Sequence, residues 1–143
     1  MVIERRVLEE IVGHARRSLP SECCGILLAG RGDAGDVTRA LEAENAEGKD
    51  PRRRYVLGHK AHLQAVSMEV AGTARIAGYY HSHPGGGTRP SSYDTAQAAA
   101  GVVYLIVGMG DGPVEFGAWR YRDGRLVPEP LEVHEPNHES PQS

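Results

Sequence analysis

The sequence predicts an α+β fold of the mixed α/β kind, with a central, mostly antiparallel β-sheet flanked by helices. Short apolar runs that end at glycine or polar residues indicate strands, and two longer segments without helix breakers indicate helices. These segments alternate along 143 residues, the length of one domain, without an internal repeat or a linker. We therefore expect a single domain over residues 1–133, followed by a flexible C-terminal tail over residues 134–143.

Three segments are predicted to be helices. Residues 4–18 carry apolar side chains at helical spacing, with charged residues between them. Residues 59–71 contain four large apolar side chains and no Gly or Pro. The third helix is expected to begin at Ser91 or Ser92 and to run through the alanines to about Ala100.

The other ordered segments are predicted to be strands. The run CCGILLAG (residues 23–30) is apolar throughout, which is typical of a strand buried on both faces. Asp123-Gly124 is a typical hairpin turn, and residues 31–36 and 44–54 are turn-rich. The further predicted strands are residues 37–43, a short one at 55–58, and residues 74–83, 102–109, 114–122 and 125–133.

Composition and charge exclude several classes of protein. The 16 basic and 19 acidic residues give a net charge of −3, whereas a general nucleic-acid binder normally has a basic face. No apolar run reaches the roughly 20 residues that cross a bilayer, and the charged N-terminus lacks a signal-peptide stretch, so we expect a cytoplasmic protein. The adjacent Cys23 and Cys24 are expected to be buried, reduced thiols.

The end of the predicted strand 74–83 suggests a metal site. Side chains alternate along a strand, so His81 and His83 point the same way, with Cα atoms about 6 to 7 Å apart. Two imidazoles at that distance can share an ion. The pair by itself also fits a polar bend with one histidine in solvent.

A carboxylate follows the histidine pair. Pro84 ends the strand, and Ser91-x-x-Asp94 forms a plausible capping box at the start of the third helix. Capping explains Ser91 and Asp94 without a metal, but it leaves open why this cap follows a His-x-His strand end. Two imidazoles and one carboxylate form the ligand set of catalytic zinc, which keeps an open position for water.

A catalytic metal site also needs a proton acceptor. Glu22 is an acid at the start of an otherwise apolar strand. It could serve as a general base, or it could be a solvated charge at the strand end. Both interpretations are compatible with its position in the sequence.

These residues resemble one family. His81-Ser82-His83-Pro84 and Ser91-Ser92-Tyr93-Asp94, with seven residues between His83 and Ser91, match the HxHP…SxxD signature of the JAMM (MPN+) zinc metalloproteases, and Glu22 matches that family's separate glutamate. The resemblance covers roughly residues 2–131. It implies an MPN/JAMM-like fold with cytidine-deaminase-like layering.

The resemblance also implies roles for the site residues. His81, His83 and Asp94 would bind one Zn²⁺ per chain, with a zinc-bound water as the nucleophile. Glu22 would activate this water, and Ser91 would hydrogen-bond the oxyanion of the tetrahedral intermediate. The chain would thus be a zinc metallopeptidase of the JAMM type.

The small bacterial members of the family are most similar to this chain. Similarity to them implies hydrolysis of the peptide or isopeptide bond after the C-terminal Gly-Gly of a ubiquitin-like or sulfur-carrier protein. The reaction would release a residue such as cysteine, which implies a link to cysteine biosynthesis. The chain would act as a monomer or homodimer. One alternative is a catalytically silent MPN-type binding scaffold. Another is a small-molecule zinc hydrolase, but the HxE…PCxxC pattern of zinc deaminases is absent from the sequence.

Three further features have open interpretations. Arg52, Arg53 and Arg54 could be solvated, or could contact an acidic carrier surface or a product carboxylate. Residues 85–87, all glycine, could form a flat rim for a Gly-Gly tail or a simple turn. The third feature is the histidine pair His59 and His62, which is expected to lie on a solvated face of the second helix.

Overall fold

The computed structural model describes residues 1–30 and 35–135. In these residues the chain forms one mixed sheet of eight strands and three helices, which confirms the predicted fold class. The elements are β1 (Val2–Glu4), α1 (Arg5–Ser18), β2 (Cys24–Gly30), β3 (Val37–Ala43), α2 (His59–Ala71), β4 (Ala74–His83), α3 (Ser92–Gln97), β5 (Val103–Gly108), β6 (Glu115–Arg122), β7 (Arg125–Pro128) and β8 (Glu132–His134).

The strand order is β7-β6-β5-β4-β2-β3-β1-β8. The pairs β2–β3, β2–β4, β5–β6 and β6–β7 are antiparallel, and the pairs β4–β5, β1–β3 and β1–β8 are parallel. Strands β2 and β4 lie in the middle of the sheet. Because they run in opposite directions, the start of β2 lies beside the end of β4.

The two faces of the sheet form two separate cores. Along β2, Leu27 packs with the cluster that contains the apolar side chains of α1, whereas Ile26 and Leu28 pack with the cluster that contains Ala61 and Ala65 of α2. Alternation of side chains along the strand produces this division. The sheet is therefore covered by α1 on one face and by α2 on the other.

Helix α2 exists as predicted but buries unexpected residues. Ala61 and Ala65 face the sheet, while Leu63 and Val70 are 67% and 84% exposed. The small alanine side chains allow the helix to lie close to the sheet. Leu63 and Val70 point outward, whereas Met68 packs partly against this core. Neither α2 nor another helix in the described part of the chain is long and apolar enough to cross a membrane.

The predicted strand 125–133 is wrong as a single element. It is two strands, β7 and β8, which lie at opposite edges of the sheet. Only residues 129–131 connect them, and three residues span about 10 Å, so the sheet must curl until its edges approach each other. The N-terminal ammonium group closes this gap by donating to Glu129 Oε2 at 3.1 Å and to the carbonyl oxygen of Pro130 at 2.7 Å.

Several predicted boundaries also need correction. Glu4 belongs to β1 and not to the first helix. The sequence did not reveal this strand, because three residues are too few to show the alternation of a strand. Residues 55–58 form no strand; Leu57 makes only an isolated bridge with Asn45. Helix α3 ends at Gln97, since Ala98 is extended. His134 is the last residue of β8, whereas the rest of the predicted tail from residue 136 lies outside the described residues.

Two local predictions are confirmed. Asp123 and Gly124 both have positive φ (49° and 84°), as a two-residue type I′ hairpin requires. Cys23 and Cys24 are buried free thiols. The predicted turn 31–36 falls mostly on residues outside the described part of the chain.

The close approach of β4 to β5 makes Gly78 sensitive to substitution. A Cβ atom at Gly78 would lie 2.4 Å from the backbone oxygen of Val103. We expect Gly78→Ala to lower the free energy of unfolding by about 1–3 kcal/mol in urea titrations. The matched control is Gly13→Ala in α1, where a Cβ atom meets nothing within 4 Å and a gain of about 0.5–1 kcal/mol is expected. Equal stability of Gly78→Ala and the parent chain would contradict this packing.

Candidate functional site

The end of β4 presents two imidazoles on one face of the sheet. The rings of His81 and His83 have centroids 5.2 Å apart. Between them, Ser82 points to the other face, where its hydroxyl accepts a hydrogen bond from the Cys23 N–H at 2.8 Å. The Ser82 N–H in turn donates to the Cys23 carbonyl oxygen at 3.1 Å. This double link fixes the end of β4 against the residue that precedes β2.

The structure brings the three predicted ligands together. Asp94 Oδ2 lies 3.2 Å from His81 Nε2 and 3.1 Å from His83 Nε2. One ligand atom from each residue can be chosen so that all three lie within 4.8 Å of one another. His81 and Asp94 are buried and His83 is half-buried.

Unpaired polar atoms indicate that this group fits a cation. Among the described residues, His81 Nε2 and Asp94 Oδ1 are buried without a hydrogen-bond partner. His81 Nε2 lies close to Asp94 Oδ2, but the two atoms are not aligned for a hydrogen bond. Buried polar atoms without partners cost free energy, and such atoms in a native structure require an explanation. A divalent ion held by two imidazoles and a carboxylate supplies one, so the His–His–Asp group can bind a metal ion.

The protonation states suit metal binding. Burial lowers the pKa of His81 and keeps its imidazole neutral, the form that ligates metals. Burial opposes ionisation of Asp94, but the two imidazoles and the Ser91 N–H outweigh it and hold its pKa below the usual range. The donor set therefore includes a neutral nitrogen of His81 and an anionic oxygen of Asp94.

Ser91 and Asp94 also form the predicted capping box. Ser91 Oγ accepts from the Asp94 N–H at 3.0 Å, and Asp94 Oδ2 accepts from the Ser91 N–H at 2.9 Å. The capping explanation and the metal explanation are thus compatible, since one carboxylate caps α3 and faces both imidazoles. The Ser91 hydroxyl accepts in this arrangement, so its own proton can still be donated.

The glycine-rich turn places α3 beside the end of β4. Gly86 and Gly87 both have positive φ, 95° and 82°, which glycine adopts without strain. A hydrogen bond from Trp119 on β6 anchors the turn to the sheet: the indole N–H donates to the Thr88 carbonyl oxygen at 2.8 Å. These residues form a turn, one of the two interpretations of the sequence, and it connects the end of β4 to the segment that carries Asp94.

Glu22 is buried, which excludes the interpretation as a solvated charge at the strand end. Its side chain is nearly inaccessible, and Oε1 has no hydrogen-bond partner among the described residues. Its backbone N–H donates to the Pro51 carbonyl oxygen at 2.7 Å. Burial, with smaller effects of the Asp94 and Asp50 charges, raises the pKa of Glu22 to about 8. A carboxyl group that titrates near neutral pH can both accept and deliver a proton.

Asn45, which could not be recognised from the sequence, organises the loop beside Glu22. Its Nδ2 donates to the carbonyl oxygens of Glu22 and Arg54, both at 3.1 Å. Its Oδ1 accepts from the N–H groups of Glu47 at 3.0 Å and Val56 at 3.1 Å. The only sequence signal was the frequent use of Asn in turns, which does not specify these distant partners.

Tyr55 is a second residue that sequence reasoning missed. Its ring stacks on His81 with centroids 4.6 Å apart, and it belongs to a segment that had been predicted to be a strand. Among the described residues His81 Nδ1 has no hydrogen-bond partner, so this stacking contributes to the orientation of the ring. His59 and His62 are exposed on α2, as expected.

The raised pKa of Glu22 predicts a pH-dependent stability cost in metal-free protein. The unfolded chain loses this proton near its ordinary pKa of 4.5, whereas the folded chain keeps it to about pH 8. The free energy of unfolding should therefore fall as the pH rises between these values, by about 1.4 kcal/mol per unit of pKa difference at most.

Urea titrations at pH 5 and pH 8.5 measure this cost. We expect Glu22→Gln to stabilise metal-free protein by a few kcal/mol at pH 8.5 and much less at pH 5. The control is Glu9→Gln, an exposed position on α1. A stabilisation by Glu22→Gln that is equal at both pH values would contradict the raised pKa.

Comparison with known proteins identifies the family. The family model described as prokaryotic homologs of the JAB domain matches residues 4–122. A desampylase of Haloferax volcanii is 38% identical over 68% of this chain and 73% of the relative. A probable TtuB-protein conjugate cleaving protease of Thermus thermophilus is 34% identical (93% and 80%), and a CysO-cysteine peptidase of Mycobacterium bovis is 31% identical (94% and 92%). The predicted enzyme class, a hydrolase of the JAMM type, is confirmed by these relatives.

Solved structures show the same architecture. A protein of Desulfitobacterium hafniense superposes with a TM-score of 0.81 at 26% identity, covering 97% of this chain and 96% of the other. A JAB1/MPN domain protein of Archaeoglobus fulgidus superposes with a TM-score of 0.59 at 20% identity, covering 93% and 98%, which supports the fold. The chain therefore belongs to the prokaryotic JAB-domain family, the JAMM family that its sequence resembles.

Proposed function

We propose that this protein is a zinc metallopeptidase that cleaves the bond after the C-terminal Gly-Gly of a ubiquitin-like or sulfur-carrier protein. The observation that carries the proposal is the convergence of His81, His83 and Asp94 beside the buried Glu22. A silent scaffold needs neither a complete ligand set nor a buried carboxyl group, both of which cost stability.

The names of the relatives support the substrate class. Desampylase, TtuB-protein conjugate cleaving protease and CysO-cysteine peptidase are names of enzymes that act on conjugates of small carrier proteins. The last two relatives align with more than nine tenths of this chain, so the likeness includes the whole site. The carrier tail is accordingly the proposed substrate here.

In this proposal His81, His83 and Asp94 hold one Zn²⁺. When bound, zinc acts as a Lewis acid and lowers the pKa of a water ligand to about 7. The chain prepares the ligands in advance, because Tyr55 stacks on His81 and the capping box holds Asp94. Little rearrangement of these side chains is then needed for binding.

Glu22 and Ser91 would carry the proton transfer and the charge stabilisation. Glu22 Oε1, which has no hydrogen-bond partner in the described part of the chain, would take a proton from the attacking water and deliver it to the leaving amine. The Ser91 hydroxyl would donate to the oxyanion of the tetrahedral intermediate while its oxygen still accepts from the Asp94 N–H.

The first test is metal content. We expect purified protein to contain about one zinc per chain and His83→Ala to lose it, because three ligands would become two. His59→Ala, an exposed histidine on α2, is the control and should retain zinc. Inductively coupled plasma mass spectrometry gives the stoichiometry. Equal zinc in the His83→Ala variant and the parent chain would remove His83 from the ligand set.

The second test is turnover on a carrier substrate. The substrate is a sulfur-carrier protein ending in Gly-Gly and extended by one cysteine, with cleavage followed by intact-protein mass spectrometry. We expect Glu22→Gln to retain zinc and to lower kcat by about 10²–10⁴-fold, the range for a lost general base. Glu9→Gln is the matched control. Near-normal kcat in Glu22→Gln would show that another group transfers the proton.

A further inference from the structure

A polar cleft adjoins the candidate site on the side of Ser91. Its volume is about 500 Å³, within the range of roughly 300–1,000 Å³ that is typical of small-molecule sites. It lies between the loop that follows β3 and the start of α3. We call it the arginine cleft; its lining residues are Asp50, Arg53, Arg54, Ser91, Ser92, Tyr93 and Ala96.

The ionised groups of the arginine cleft favour an anion. Its lining includes two arginines, Arg53 and Arg54, and one acidic residue, Asp50. Within residues 1–30 and 35–135, no carboxylate lies within 4.0 Å of either guanidinium group. Arginines at a carboxylate-binding site need free N–H donors, and these two have them.

The backbone of the loop positions both arginines. The N–H groups of Arg53 and Arg54 both donate to the Asp50 carbonyl oxygen at 3.1 Å. The Arg54 carbonyl oxygen accepts from Asn45 Nδ2, the same amide nitrogen that binds the Glu22 carbonyl oxygen. The arginine cleft and the candidate general base are therefore fixed by one side chain.

Arg54 is also oriented through its side chain. Its guanidinium carbon lies 5.3 Å from the centroid of the Tyr93 ring, a cation–π contact. Tyr93 lies between Ser91 and Asp94 in sequence, so this contact ties the guanidinium group to the helix that carries the site. A guanidinium group stacked by one face keeps the donors at its edge available for a planar anion such as a carboxylate.

We propose that the arginine cleft is a carboxylate subsite that fixes the substrate next to the scissile bond. This inference rests on the proposed function, because Ser91 both lines the cleft and would bind the oxyanion. The carboxylate has two possible sources in such a substrate. It is the terminal carboxylate of the residue that is released, or an acidic side chain in the carrier tail.

The first arm of the test compares two substrates that differ only in the released residue. One carrier ends in Gly-Gly-Cys with a free carboxylate and the other in the corresponding carboxamide. If the terminal carboxylate binds, the parent enzyme should prefer the free acid by about 10–100-fold in kcat/KM, the scale of charge-assisted hydrogen bonds. Arg53→Ala/Arg54→Ala should bring this ratio towards one.

The second arm changes the carrier tail. Acidic residues in the last six positions before Gly-Gly are replaced by their amides, with the released cysteine unchanged. The ratio here is kcat/KM for the parent tail divided by kcat/KM for the amide tail. If Arg53→Ala/Arg54→Ala changes this ratio but leaves the ratio of the first arm unchanged, the cleft binds the carrier tail. Because each arm reports a ratio of two substrates for one enzyme preparation, partial unfolding of a variant lowers both rates equally and leaves the ratio unchanged.

Arg52→Ala is the matched control in both arms, since Arg52 is an exposed arginine in the same loop that does not line the cleft. It should retain the ratios of the parent chain. If Arg53→Ala/Arg54→Ala also retains them in both arms while the substrates are cleaved, the carboxylate subsite is refuted and the peptidase function stands. If the parent enzyme cleaves neither substrate, the proposed function itself fails.

Discussion

The antiparallel pairing of β2 with β4 is the constraint on which the site depends. It places Cys24 opposite His81 and lets Ser82 bond both backbone groups of Cys23. As a consequence Glu22, which 58 residues separate from His81 in the sequence, lies at the same end of these two central strands. A shift of this register by one residue would turn the imidazoles to the opposite face. The register is secured by the two cores, because each face of β2 packs against different helices.

The site combines rigid backbone with unsatisfied polar atoms. His81, Asp94 and Glu22 bury nitrogens and oxygens without partners in the described part of the chain, which is unfavourable in the absence of an ion. The surroundings hold them in place through the capping box, the stacked Tyr55 and the glycine turn. These unpaired atoms lower the free energy of unfolding at the position where a metal ion would need preformed ligands, and such a loss of stability is common at functional sites.

One loop connects the parts of this site. Asn45 holds the backbone of Glu22 and of Arg54, and Tyr55 follows Arg54 directly. The loop therefore reaches the candidate base, the candidate metal ligand His81 and the arginine cleft.

The sequence alone determined the fold class, the elements that carry the site and the His81, His83 and Asp94 group, because these follow from local period and spacing. It could not decide whether Glu22 is solvated or buried, since both fit the start of an apolar strand. Nor could it show β1, the separation of β7 from β8, or the roles of Asn45 and Tyr55. Those depend on contacts between residues far apart in the chain, and only the tertiary structure brings these partners together.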